Sequence, residues 1–202
     1  YDTSDDLAAL FNLEAEGYIY TRIGNPTLAA FEQKLAELEG GVGAVATASG
    51  QAAIMLAVLN ICSSGDHLLC SSTVYGGTFN LFGVSLRKLG IDVTFFNPNL
   101  TADEIVALAN DKTKLVYAES LGNPAMNVLN FKEFSDAAKE LEVPFIVDNT
   151  LATPYLCQAF EHGANIIVHS TTKYIDGHAS SLGGIVIDGG NFDWTNGKYP
   201  EL

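Results

Sequence analysis

The chain has 202 residues, 48% of them hydrophobic and only 17% charged, enough apolar content for one sizeable core and too little charge for a disordered chain. Its formal net charge of -14 argues against nucleic acid or an anionic membrane surface as a partner. No apolar run reaches the roughly 18 residues of a membrane span, and the acidic start YDTSDDLAALF lacks the basic-then-apolar order of a secretory signal.

Helical and strand-like patterns alternate along the chain. NPTLAAFEQKLAELEGG (25–41) predicts a helix, with Asn25 as cap, Pro26 in the first turn, Gly40 and Gly41 as the stop, and Leu28, Phe31, Leu35 and Leu38 on one face. GAVATAS (43–49) predicts a buried strand and GQAAIMLAVLNIC (50–62) a helix apolar on most sides. HLLCSS, TFNLFGVSLRKLG and DVTFFN follow as strand, helix and strand. Next come the helix TADEIVALAN with a Thr101/Glu104 capping box, the strand KLVYAES, the helix NFKEFSDAAKELE and the strand PFIVDNT. A short helix near LCQAFEHG, the strand NIIVHS and a last strand in SLGGIVID complete the series. Continuous apolar strands separated by helices predict an α/β fold, a mostly parallel sheet covered on both faces. Cys62, Cys70 and Cys157 have no metal-ligand spacing and sit in apolar surroundings, which predicts reduced core thiols in a cytoplasmic protein.

Ligands of such sheets bind beyond the carboxyl ends of the strands, so the residues that close each strand carry the functional reading. Ser49, Gly50 and Gln51 open a helix after the first strand, which reads either as an ordinary serine cap or as an anion site of free N–H groups. Tyr75, followed by two glycines, is either a ring packed on the core or an aromatic plate for a planar ligand. Glu119 and Asn123 stand at the mouth of the next strand. Asp148 follows Phe-Ile-Val, where a carboxylate is costly unless paired. Ser170, Thr172 and Lys173 close the strand NIIVHS, and Lys173 is either a solvated surface lysine or the carrier of a cofactor. An anion cradle, an aromatic plate, a carboxylate and a lysine in one crevice match the needs of pyridoxal 5'-phosphate: an amine for its aldehyde, a carboxylate for its pyridine nitrogen, hydroxyls and helix N–H groups for its phosphate, and a flat face for its ring. His169 and His178 have no metal-ligand company and carry no assignment; no metal site is expected.

YTRIGNPT, ASGQAAI, VYGGTFNLF, ESLGNPAMNVLNF, VDNTLATPYL and HSTTKYIDGH, running from residue 20 to residue 178, together resemble the Cys/Met-metabolism family of fold-type-I pyridoxal-phosphate enzymes. The resemblance implies Lys173 as the Schiff-base lysine, Asp148 against the pyridine nitrogen and Tyr75 stacked on the ring. It implies Ser170, Thr172, Ser49 and the backbone of Gly50 and Gln51 on the phosphate, with Asn123 near the ring hydroxyl. It also implies that Tyr20 and Arg22 reach the phosphate of a neighbouring subunit in a homo-oligomer, a tetramer built of active-site-sharing pairs. An arginine fork suits a phosphate, although taken alone Arg22 reads equally as half of a surface ion pair.

On the same resemblance, residues 1–40 form a segment serving a neighbour's site and 41–202 the cofactor-binding large domain. A C-terminal domain bearing the arginine for the substrate carboxylate lies outside this chain. Gly77, where methionine γ-lyases typically carry a cysteine, and DGGNFDWTNGKYPEL resemble the branch of the family that acts on O-acetylhomoserine. The implied reaction is γ-replacement of acetate by sulfide or methanethiol, with Lys173 as proton shuttle and Tyr75 assisting the leaving group. The other readings are lyase or cystathionine-forming chemistry of the same family, or a chain that binds cofactor without turnover.

Overall fold

A computed structural model describes residues 1–202. Seven strands form one sheet: β1 Gly43–Thr47, β2 His67–Ser71, β3 Asp92–Phe96, β4 Thr113–Glu119, β5 Phe145–Asp148, β6 Ile166–His169 and β7 Gly184–Asp188. Their order across the sheet is β1-β7-β6-β5-β4-β2-β3. The five strands from β6 to β3 are parallel, as the continuous apolar runs require. β7 departs from this pattern, running antiparallel both to β6 and to β1. The predicted mostly parallel sheet is therefore present, with one reversed strand near its edge.

Alternation along each strand divides the core into two layers. On β4, Val116 and Ala118 face one layer, which holds Phe134, Ala137 and Ala138 of α6 (Phe131–Glu140) and Leu35 and Ala36 of α2 (Pro26–Glu39). Leu115 and Tyr117 face the other, beneath Ala53, Ile54, Ala57 and Val58 of α3 (Gly50–Ile61) and Phe82 and Leu86 of the segment that follows α4 (Gly76–Asn80). Phe134 is fully buried, a burial that stabilises by about 2–3 kcal/mol.

The caps read from the sequence form. The Asn25 side chain accepts from Thr27 and Leu28 N–H, Gly40 ends α2 in the left-handed region at φ 79°, and Ser49 Oγ accepts from Ala52 N–H at 3.1 Å. Thr101 and Glu104 form their reciprocal box at α5 (Ala102–Val106), although α5 is only five residues long where the pattern suggested helix to residue 110. The helix expected from Thr78 instead begins at Gly76 and widens to π-helical hydrogen bonding over Leu81–Leu86. An additional helix, α1 (Ser4–Phe11), is opened by a Thr3/Asp6 capping box and buries none of its residues.

The apolar face of α2 is only half covered. Leu35 is buried, but Leu28 and Leu38 are exposed. Phe31, Leu35 and Leu38 line an open groove of about 860 Å³ with Tyr155 and Leu156 of α7 (Thr153–Leu156) and with Tyr174. No helix of the structure is long and apolar enough to cross a membrane.

Candidate active site

The polar residues that close β1, β4, β5 and β6 meet at one rim of the sheet. They line a cavity of about 290 Å³ whose walls include Ser49, Gly50, Gln51, Tyr75, Glu119, Asn123, Asp148, Thr150, Ser170, Thr172 and Lys173. Nine of the eleven residues that the resemblance assigns to the cofactor are thus brought together, with Glu119 beside them. Tyr20 and Arg22 are not. They lie on the exposed N-terminal arm, with the Arg22 guanidinium 5.3 Å from the centre of the Tyr20 ring.

Each wall is held by local chemistry. Ser49 spends its side chain on Ala52, and the Gly50 and Gln51 N–H groups, at the first turn of α3, have no acceptor within the helix. Gly50 is required by close approach: a Cβ there would stand 2.6 Å from Ser170 Cβ and 2.8 Å from Ser170 Cα. α3 and the end of β6 therefore touch across the site. The Gln51 amide donates to Thr78 Oγ1 at 3.1 Å, tying the start of α3 to α4.

Thr150 is the junction that sequence reasoning missed. Its N–H (3.0 Å) and its hydroxyl (2.5 Å) both donate to Asp148 Oδ1, while the same hydroxyl accepts the Ser170 N–H at 2.8 Å. The run Asp-Asn-Thr at a strand end is the signal that would have found it, since aspartates in turns commonly bond the backbone two residues on. Burial pushes the Asp148 carboxyl above the usual range, opposed by these Thr150 bonds, by nearby His169 and by the Tyr117 hydroxyl at 3.5 Å. Thr172 is engaged as well: its hydroxyl donates to Gly183 O at 3.1 Å and accepts the Gly183 N–H at 3.0 Å. The Lys173 ammonium is exposed at the cavity and is the one cationic side chain in its wall, facing two carboxyls.

Behind the rim lies a second group that sequence reasoning left unassigned. His169 Nε2 stands 2.5 Å from Glu39 Oε1, both side chains fully buried, and the Asn149 amide donates to the same oxygen at 3.0 Å. Asn149 follows Asp148 and His169 precedes Ser170, so this buried cluster backs both strand ends that line the cavity. Glu39 gives no local sequence signal, because it falls among the exposed-looking charges of a helix C-terminus.

The family model for Cys/Met metabolism PLP-dependent enzymes matches residues 1–200. The chain belongs to this family. Among its relatives, an O-acetyl-L-homoserine sulfhydrylase of Leptospira meyeri is 49% identical over 202 residues, covering 100% of this chain and 46% of that protein. A homocysteine/cysteine synthase of Kluyveromyces lactis is 45% identical, covering 100% of this chain and 45% of that protein. A solved Campylobacter jejuni structure, named as an O-acetylhomoserine (thiol)-lyase and holding N'-pyridoxyl-lysine-5'-monophosphate, superposes with a TM-score of 0.85 at 39% identity, over 93% of this chain and 46% of that one. The chain spans about half the length of the relatives it matches. Both the α/β architecture expected of fold type I and the family resemblance stand on these matches.

Pyridoxal phosphate is the cofactor of this family, and the cavity's donor set fits it: one lysine, a hydrogen-bonded aspartate, an aromatic ring, hydroxyls, and helix N–H groups approached closely enough that Gly50 admits no Cβ.

Proposed function

We propose that this protein is a pyridoxal-phosphate-dependent sulfhydrylase that replaces the acetoxy group of O-acetyl-L-homoserine with sulfide or methanethiol, giving homocysteine or methionine. The observation that carries the reading is the single cavity in which Lys173, Asp148, Tyr75 and the Ser49–Gln51 helix start converge. The relatives described above supply the substrate class.

When bound, the cofactor supplies an electron sink for charge that develops at the substrate Cα. The remaining work falls to the chain. Lys173 is the attachment point for the aldehyde and, when released, the base that carries a proton between Cα and its neighbouring carbon. Asp148, held by Thr150, would face the pyridine nitrogen. Tyr75 would cover the ring and assist the leaving group. Ser170, Ser49 and the Gly50 and Gln51 N–H groups would hold the phosphate, joined by Thr172 once its hydroxyl turns from Gly183 O, and Asn123 would meet the ring hydroxyl.

The reading includes a second copy of the chain, in a homotetramer, whose Tyr20 and Arg22 reach this phosphate. Two facts support that part: the cavity has two carboxyls and one lysine in its wall and no arginine, and both residues lie exposed and outside their own chain's cavity. In that oligomer residues 1–40 act across the interface and 41–202 form the cofactor-binding domain. Three unpaired cysteines support a cytoplasmic setting.

Gly77 favours the sulfhydrylase over a methionine lyase. A Cβ at position 77 would stand 2.5 Å from Tyr75 Cε1, so a side chain there would displace the ring from its present place. The test is product analysis on the intact protein with pyridoxal phosphate. O-acetyl-L-homoserine and sulfide should yield homocysteine and acetate. Ammonia and α-ketobutyrate from methionine at a comparable rate would replace this reading with the lyase.

A further inference from the structure

Glu119 lies in the cavity wall and no step above uses it. It closes β4 at the same register at which Asp148 closes β5, and neighbours in a parallel pair project to the same face. Its Oε1 accepts the Tyr75 N–H at 2.7 Å, and the residue is buried. We propose that Glu119 is a positioning residue of the cofactor site, one that fixes the Tyr75 ring by holding the Tyr75 backbone N–H and that leaves the negative charge of the carboxyl pair on Asp148. The inference rests on the cofactor reading above and deepens it.

The first half follows from the poverty of other restraints. Tyr75 is the N-cap of α4 and makes no side-chain cap, two glycines follow it, and its ring is half exposed. Glycines leave the backbone free to move, so an aromatic plate on such a turn needs an anchor from outside it. Glu119, rooted in a central strand, is that anchor.

The second half follows from crowding. Two carboxyls on one face of adjacent strands cannot both ionise without cost when buried. Glu119 is pushed up to about 8, by burial first and by the Asp148 charge second, with the Tyr75 N–H opposing. Asp148 has the stronger support for its charge, from Thr150 twice and from Tyr117. The other titratable groups around the pair are Cys70 of β2, Tyr117 of β4, His169 of β6 and Lys173 of the loop beyond it. Cys70 and Tyr117 are held neutral by burial. Near neutral pH, Glu119 keeps its proton.

The test compares intact wild type with Glu119→Gln and Glu119→Ala. It measures the dissociation constant of added pyridoxal phosphate from the apoprotein, the visible circular dichroism of the bound cofactor, and the pH dependence of apoprotein stability. Glutamine retains an acceptor for Tyr75 and is always neutral. We expect it to bind cofactor within about threefold of wild type and to flatten the fall in apoprotein stability as pH rises toward about 8, whereas alanine weakens binding about tenfold and alters the dichroism. Alanine matching wild type in affinity and dichroism overturns the inference. So does glutamine losing as much as alanine, or keeping the wild-type fall in stability. Wild type that takes up no cofactor removes the functional reading and this inference together, whereas uptake by wild type with no effect of alanine removes this inference alone.

Discussion

Two adjoining surfaces of this chain are built in opposite ways. The rim above β4, β5 and β6 is a polar mesh in which Asp148, Thr150, Ser170, Thr172 and Glu119 are hydrogen-bonded to each other or to nearby backbone. The groove between α2 and α7 is apolar and open, with Tyr155 92% exposed. Lys173 belongs to the first and Tyr174 to the second, so one peptide bond separates them. The difference teaches that the precision of the rim comes from within the chain, whereas the groove contributes little to the stability of this fold as it stands.

If that contrast is right, substitutions should rank by surface. Lys173→Ala should abolish the cofactor absorption that survives dialysis and lower turnover roughly a thousandfold, as measured by spectra and product formation. His169→Ala should destabilise by about 3 kcal/mol in chemical denaturation, because it leaves the buried Glu39 carboxyl without its closest partner. Gly50→Ala should cost about 2 kcal/mol through overpacking against Ser170, and should also weaken cofactor binding, read in the same titration as above.

Glu119→Gln sharpens the comparison through pH. The folded carboxyl titrates near 8 and the unfolded one near 4.5, so between these values the native apoprotein binds more protons and loses stability as pH rises. Melting temperatures of the apoprotein from pH 5 to 9 should fall less steeply in the glutamine variant. The smallest effect is expected in the groove: Tyr155→Ser should change the free energy of unfolding by no more than about 0.5 kcal/mol. A loss as large as that of His169→Ala would break the comparison.

Much of this arrangement was legible beforehand, because its causes are local. Period and breakers mark each strand, Asn25, Ser49 and Thr101 cap as their side chains dictate, and the rule that ligands sit beyond strand ends selects the residues that line the cavity. What escaped has non-local causes. Nothing near Gly184–Asp188 specifies that it inserts between β1 and β6 and reverses. Glu39 is distinguished only by a histidine 130 positions away. The apolar stripe of α2 is legible in the sequence, yet periodicity cannot say how much of a stripe its own chain will cover. The Thr3/Asp6 box that opens α1 is a local signal, but α1 buries none of its residues, so no buried apolar stripe accompanies it.

The reversed strand β7 also has a consequence for how the molecule assembles. Gly43 pairs with Asp188 and Ile166 pairs with the same residue from the other side, so β1 reaches the rest of the sheet only through β7. A Cβ on Gly184 would stand 2.2 Å from Ser49 O, so the start of β7 seats directly against the turn that opens α3. During synthesis the helix start that forms the anion cradle is made early, and the lysine loop much later. The two pack directly on each other where Gly50 meets Ser170, and β1 joins the sheet only once residues 184–188 have emerged and inserted. Contacts of such long sequence separation form slowly. The chain should therefore become able to hold its cofactor late, in a single closing event, well after most of its helices have formed.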